Sequence, residues 1–210
     1  MLISESNNFM FFHVYKVAGT SIRDVLAPYC SKKQIALQLI DYGLSVLNIS
    51  HEFSPIYQYH PKLTSVRDYL GSDFYKYYRF SFVRDPFDWQ KSLYFFMRLN
   101  TRHHQHQIIS KLSFDEYIKW RIDNDLNLMS DIISDENGTL LVSELFRFEK
   151  INDEFNKLKK KISIEGELPM KNIAGRGRKV EVSDSTVKEF FEAFHNDYVK
   201  LGYEKKICNN

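Results

Sequence analysis

A lysine, a glycine and two hydroxyl residues follow the first apolar run of the chain. Phe9-Met-Phe-Phe-His-Val14 leads into Tyr15-Lys16-Val17-Ala18-Gly19-Thr20-Ser21. These residue types in this order suit an anion. Gly19 lets the backbone come close to a ligand, Thr20 and Ser21 offer hydroxyls, and Lys16 can reach over with a full charge. A helix opening at this point, with Ile22 to Leu26 in it, would aim its unpaired N–H groups at one spot and add the partial positive charge of its dipole. Lys16 precedes Gly19 and no second glycine opens the loop, so the order is not that of a Walker A motif. A shorter loop has fewer N–H groups, which favours one phosphate-sized group over a triphosphate. Two further polar side chains close apolar runs: His60 follows Ile56-Tyr-Gln-Tyr59, and Arg84 follows Arg79-Phe-Ser-Phe-Val83.

The elements that must position these residues read as strands alternating with helices. Ile56 to Tyr59 is β-prone and stops at His60-Pro61, because proline cannot continue a ladder. Thr20 to Tyr29 reads as a short helix, Leu63 to Leu70 and Asp73 to Tyr78 as two helical pieces, and Gln34 to Leu47 fits strand or helix equally. Arg79 to Val83 is a second clear strand, and Pro86 suits the first position of a helix running to about Leu99. Ser113-Phe-Asp-Glu116 is a capping box that starts a helix over Phe114 to Arg121. Asn137-Gly138 marks a turn between short β segments at Leu140 to Val142 and Phe146 to Phe148. Ile151, Phe155, Leu158 and Ile162 line one face of an amphipathic helix whose Lys157, Lys159, Lys160 and Lys161 face solvent. Glu165 to Val182 is a long irregular stretch centred on Gly175-Arg176-Gly177-Arg178-Lys179, of the kind that is usually functional. Ser183 then caps a final helix. The alternation predicts one α/β domain over residues 1–210 with a mainly parallel sheet, whose ligands bind beyond the carboxyl ends of the strands.

Bulk composition narrows the partners. Of 210 residues, 43% are hydrophobic and 27% charged, and the net charge is +2, so nothing in the balance demands nucleic acid or an anionic membrane. No stretch approaches the ~20 apolar residues of a membrane span, and Met1 to Asn8 has no apolar core of a signal peptide. Cys30 and Cys208 lack metal-ligand spacing and read as reduced thiols, which predicts a cytoplasmic protein. His103, His104 and His106 lie in a polar loop and are not read as a metal site, and Asp123-Asn-Asp125, in a polar helix tail, is not read as a glycosyltransferase DxD.

Lys16 to Ser21, together with Phe82-Val-Arg84-Asp-Pro86 continuing to Ser92, resembles the sulfotransferases that use 3′-phosphoadenosine 5′-phosphosulfate. The likeness is nearest to carbohydrate sulfotransferases of the heparan sulfate 2-O-sulfotransferase type and their bacterial relatives. His60 with Leu63-Thr-Ser-Val-Arg-Asp-Tyr-Leu70 is similar to the family's stretch before its second strand. Asn172 with its basic loop, and Asp197-Tyr ahead of Gly202-Tyr203, are similar to its ending. The resemblance implies a P-loop-kinase-like three-layer fold with a central mainly parallel sheet flanked by helices. It implies a loop, Lys16, Val17, Ala18, Gly19, Thr20 and Ser21, that holds the 5′-phosphosulfate, Arg84 and Ser92 on the 3′-phosphate, and His60 as base, with His51 as rival. It further implies an acceptor hydroxyl, expected on a saccharide, and no metal. Two positions depart from the family pattern: Tyr15 stands where proline is usual, and Trp89 where a second arginine is common. The grip on the 3′-phosphate would then be weaker, or be shared with Arg176, Arg178 or Lys91. A nucleotide or small-molecule kinase, or a nucleotide-binding module without turnover, fits the same strands and loop less well.

Overall fold

Four consecutive bulky residues, Phe9 to Phe12, are all buried, which is the signature of an inner strand covered on both faces. In the computed structural model, which describes residues 1–47, 49–169 and 178–206, that strand is β2 (Phe9–Phe12). It lies in one sheet with β1 (Leu2–Ser4), β3 (Tyr78–Val83) and β4 (Glu144–Arg147), in the order β1-β2-β3-β4. β2 pairs in parallel with β3, with Phe12 opposite Ser81, and β3 in parallel with β4. β1 is antiparallel to β2. The sheet is therefore mainly parallel, and β2 and β3 deliver the chain to the same edge.

The described helices are α1 (Gly19–Leu26), α2 (Lys32–Val46), α3 (Leu63–Leu70), α4 (Pro86–Leu99), α5 (His106–Ile109), α6 (Phe114–Asn124), α7 (Met129–Ile132), α8 (Ile151–Ile162), α9 (Asp184–Ala193) and α10 (His195–Leu201). Packing divides the chain into two compact units. One is built from Met1–Val83 and Asp131–Lys171, the other from Arg84–Ser130 and Asn172–Asn210, in each case the described residues within those bounds. The first unit holds the whole sheet, with a core of Phe9, Phe11, Phe80, Phe82 and Phe146. The second is helical. Its core joins Phe87, Phe114 and Phe190 edge to face, at 5.5 and 5.3 Å between ring centroids. The buried Asp197 carboxylate caps the start of α7 there, accepting from Met129 N at 2.9 Å and Ser130 N at 2.8 Å.

The segment 56–59 corrects the sequence expectation. It is not a strand but part of a 3₁₀ turn, Pro55–Tyr57, closed by Tyr57 N donating to Ser54 O at 2.8 Å. Pro55 presets that turn, and side chains of α2 take the carbonyl that a ladder would use: Gln34 Nε2 donates to Ile56 O at 3.0 Å, and Gln38 Nε2 at 3.2 Å. His60 therefore does not close a strand. The ambiguous stretch 34–47 is the greater part of α2, and it buries its polar stripe of Gln34, Gln38 and Asp41. The expected β segment at Leu140 reduces to a single bridge to Ser134. The final helix breaks in two at Phe194. Among the described residues no helix is long and apolar enough to cross a membrane.

Candidate active site

The loop after β2 makes its turn with two non-glycine residues in the left-handed region, Lys16 at φ 64° and Ala18 at φ 62°. Each such residue costs about 1 to 2 kcal/mol, so the conformation is held by its surroundings. Ala18 is the N-cap of α1 and offers no side-chain acceptor. The helix start thus relies on its own backbone, with Ile22 N donating to Ala18 O at 3.1 Å, and the first-turn N–H groups of Gly19, Thr20 and Ser21 have no partner within the helix. Gly19 and Ser21 are buried and Thr20 is exposed. Lys16 and Tyr15 are both half-buried.

Gly19 is fixed by a neighbour that the sequence reading passed over. A Cβ at position 19 would stand 1.7 Å from His13 Nε2 and 1.8 Å from its Cδ2, so the imidazole occupies the space that any larger residue would need. His13 stacks on Phe11 at 6.1 Å between centroids, and its Nδ1 is buried without a hydrogen-bond partner. Its pKa is held well below the ordinary imidazole value, by burial first and then by the positive charges of the N-terminal amine, His60 and Arg23. The only signal for it in the sequence was a histidine at the end of an otherwise apolar run.

The His60 ring centroid lies 5.2 Å from that of His13 and 4.8 Å from that of Tyr59. Asp41 on α2 orders this segment. Its Oδ2 accepts from Tyr59 N at 2.8 Å and its Oδ1 faces His51 Nε2 at 2.9 Å. Packing of the His60 ring lowers its pKa to about 4, ahead of the charges of the N-terminal amine and Arg23. The residue is nevertheless exposed, and water along that edge limits the depression. His51 shows the opposite behaviour. Its Nδ1 faces Ile49 O at 2.8 Å and its Nε2 faces Asp41, so two acceptors favour the imidazolium and raise its pKa, the carbonyl most. A cavity of about 460 Å³ opens here, lined by Asp41, Tyr42, His51, Gln58, Tyr59 and His60 among others. The Arg23 guanidinium, buried, lies 4.6 Å from the Tyr59 ring centroid.

In the other unit, Arg84 and Ser92 frame the start of α4, both half-buried. Asp85 caps that helix through its Oδ1, which accepts from Phe87 N and Asp88 N, each at 3.0 Å. Its carboxylate thus has a structural job at the helix start. Trp89, in the family's second-arginine position, is fully buried and is a core residue. Arg178 places its guanidinium 5.2 Å from the ring centroid of Phe95, which is three residues past Ser92 on α4 and so one turn along the same face. Arg176 lies outside the described residues, as do Asn172 and Cys208. His103 and His104 stack at 4.4 Å, and Asp125 is engaged by Arg121 and by Gln105 Nε2, the latter at 2.7 Å. Among the described residues no group of three or more His, Cys, Asp or Glu is placed to hold a metal ion.

A helix start without a side-chain cap thus follows a parallel strand and a loop with two left-handed residues, an arrangement of the kind that suits an anion, with the His13 and His60 rings beside it. Comparison with known proteins gives the same direction: a family model described as "Sulfotransferase family" matches residues 1–204. No curated protein and no solved structure matches the chain. That match over nearly the whole length, with a mainly parallel sheet flanked by helices as in the P-loop-kinase-like fold of its members, establishes that the chain belongs to the sulfotransferase family.

Proposed function

We propose that this protein moves a sulfuryl group from 3′-phosphoadenosine 5′-phosphosulfate to an acceptor hydroxyl, with a saccharide as the acceptor class. The observation that carries the reading is the start of α1, which no side chain caps and which follows a loop strained at Lys16 and Ala18. Such a start suits the 5′-phosphate end of the donor. Strain of this kind is retained where surroundings or a ligand repay it.

Each residue then has a defined task. The backbone of Val17 and Ala18 shapes the turn, and the N–H groups of Gly19, Thr20 and Ser21 hold the 5′-phosphate. Lys16 stabilises negative charge on the bridging oxygen as the sulfur–oxygen bond to the donor phosphate breaks. His60, neutral at pH 7 because its pKa is lowered, takes the proton of the acceptor hydroxyl while that oxygen forms its bond to sulfur. His51 is less suited to this, since two acceptors hold it towards the charged form. Arg84 and Ser92 bind the 3′-phosphate, and Arg178 adds charge from the Phe95 side of α4. Adenosine 3′,5′-bisphosphate is the product. Positioning and charge supply the catalysis, as in phosphoryl transfer.

Transfer of labelled sulfate from the donor to saccharide hydroxyls tests this. His60→Ala is expected to lose transfer while keeping affinity for the bisphosphate, and Lys16→Ala to lose turnover more than affinity. Equal losses of turnover and affinity in Lys16→Ala would reduce Lys16 to a binding residue. Full activity in His60→Ala would remove the base.

A further inference from the structure

Helix α2 is inverted. Its buried residues are Gln34, Gln38 and Asp41, whereas Leu39, Ile40, Tyr42, Val46 and Leu47, with Ile49 just beyond, are between 49% and 69% exposed. At about 100° per residue, positions 39, 40, 42, 43, 46 and 47 fall on one contiguous face, opposite the polar stripe. The inner stripe has a structural explanation. Gln34 Oε1 accepts from Ile3 N at 3.1 Å, Gln38 Nε2 donates to Met1 O at 2.8 Å, and Asp41 accepts from Tyr59 N at 2.8 Å, so the polar residues stitch the helix to β1 and to the turn before His60. Among the described residues the outer apolar face makes no such stitching bonds, and of its side chains Tyr42 packs inward, its ring centroid 4.9 Å from that of Tyr59. Exposed apolar surface on this scale marks a place where another molecule sits.

The face is continuous with the cavity beside His60. Tyr42 and Val46 belong to both. The cavity is therefore polar where Asp41, His51, Gln58 and His60 meet and apolar where it opens onto α2. Gly43 lies on the same face, and a Cβ there would meet nothing within 4 Å, so no packing demand among the described residues accounts for the glycine. This gradient fits a ligand with a hydroxyl-bearing head and an apolar chain or ring system.

We propose that the acceptor is an amphiphile, with its hydroxyl-bearing head in the cavity beside His60 and its apolar portion along the outer face of α2. The proposal rests on the reading of His60 as the base of a sulfuryl transfer.

The test compares octyl β-D-glucopyranoside, below its micelle concentration, with methyl β-D-glucopyranoside, followed by methyl and imidazole NMR. Saturable binding of the octyl compound is expected, at least about tenfold tighter than the methyl compound because several methylenes are buried. Its shifts should fall on the methyls of Leu39, Val46 and Leu47 and on the rings of His51 and His60. Leu47→Lys, at a solvent-exposed position, should bring the octyl affinity down to that of the methyl compound. Equal affinities, no binding of either, or shifts confined to another part of the chain overturn the proposal. So does a concentration-dependent doubling of mass in which the same α2 methyls shift without ligand, since a second copy then covers the face. Calorimetry with adenosine 3′,5′-bisphosphate on the same samples separates the two readings. Intact bisphosphate binding without alkyl preference removes only the amphiphile. Alkyl preference without any contribution from the 3′-phosphate removes the sulfuryl donor and leaves an amphiphile site of another activity.

Discussion

Two helices follow two parallel strands of the same sheet, and their N-termini are built in opposite ways. α1 after β2 begins at Ala18, which is left-handed and supplies no cap. α4 after β3 begins at Asp85, whose Oδ1 takes two backbone N–H groups, with Pro86 at the first helical position. A helix start that lacks an internal acceptor can give its N–H groups to a ligand, whereas a carboxylate at the cap satisfies those donors and repels an anion. Under the proposed function, this difference implies two modes of phosphate binding: backbone donors for the group at α1, and the side chains of Arg84 and Ser92 for the group at α4.

The contrast can be broken hardest at Gly19. Gly19→Ala would drive a Cβ into His13, at 1.7 Å from Nε2, and overpacking of this kind costs about 3 kcal/mol or more when neither side can give way. The expected result is a large fall in Tm and loss of nucleotide binding. Because the obstacle is the His13 ring, His13→Ala combined with Gly19→Ala should be no less stable than His13→Ala alone. A single Gly19→Ala variant with wild-type Tm would contradict the packing described here.

Arg84→Ala sharpens the other half. It is expected to weaken binding of adenosine 3′,5′-bisphosphate by about 1.5 to 3 kcal/mol, the usual worth of a charge-assisted hydrogen bond, while AMP binding stays as it was. Loss of AMP binding to the same degree would mean that Arg84 does not distinguish the two phosphates. Asp85→Ala should cost about 1 kcal/mol of stability through the lost cap, read as a lower denaturation midpoint with nucleotide selectivity retained.

The smallest expected change is in the pH profile. A base must be unprotonated, and the His60 pKa is lowered from 6.5 to about 4 by packing and nearby positive charge. Between pH 7.5 and pH 5.5, kcat/KM should therefore fall by less than about twofold, whereas an imidazole titrating near 6.5 would lose about tenfold. A limb at or above 6.5 would point to His51, whose pKa is raised.

The parts legible from sequence are those fixed by local chemistry. Pro86 and the Ser113 capping box gave helix starts that the structure keeps, and the Lys16 to Ser21 order implied a loop running into a helix, which the structure has as α1. The segment 34–60 was not legible, for a physical reason. α2 faces its glutamines and Asp41 inward because they bind the backbone of Ile3, Met1, Ile56 and Tyr59, so its pattern runs against the rule that apolar residues point to the core. The turn at Pro55–Tyr57 is held by those same side chains, and a β-prone composition could not reveal it. His13 was hidden likewise, since only the folded loop brings its ring against Gly19.

The central claim is that the donor is held at two phosphates, and calorimetry of the wild-type chain with adenosine 3′,5′-bisphosphate against AMP in metal-free buffer tests it most directly. The bisphosphate is predicted to bind about 10- to 150-fold more tightly, the equivalent of ~1.5 to 3 kcal/mol. Equal affinities would contradict the account, since Arg84 and Ser92 would then have no phosphate to hold.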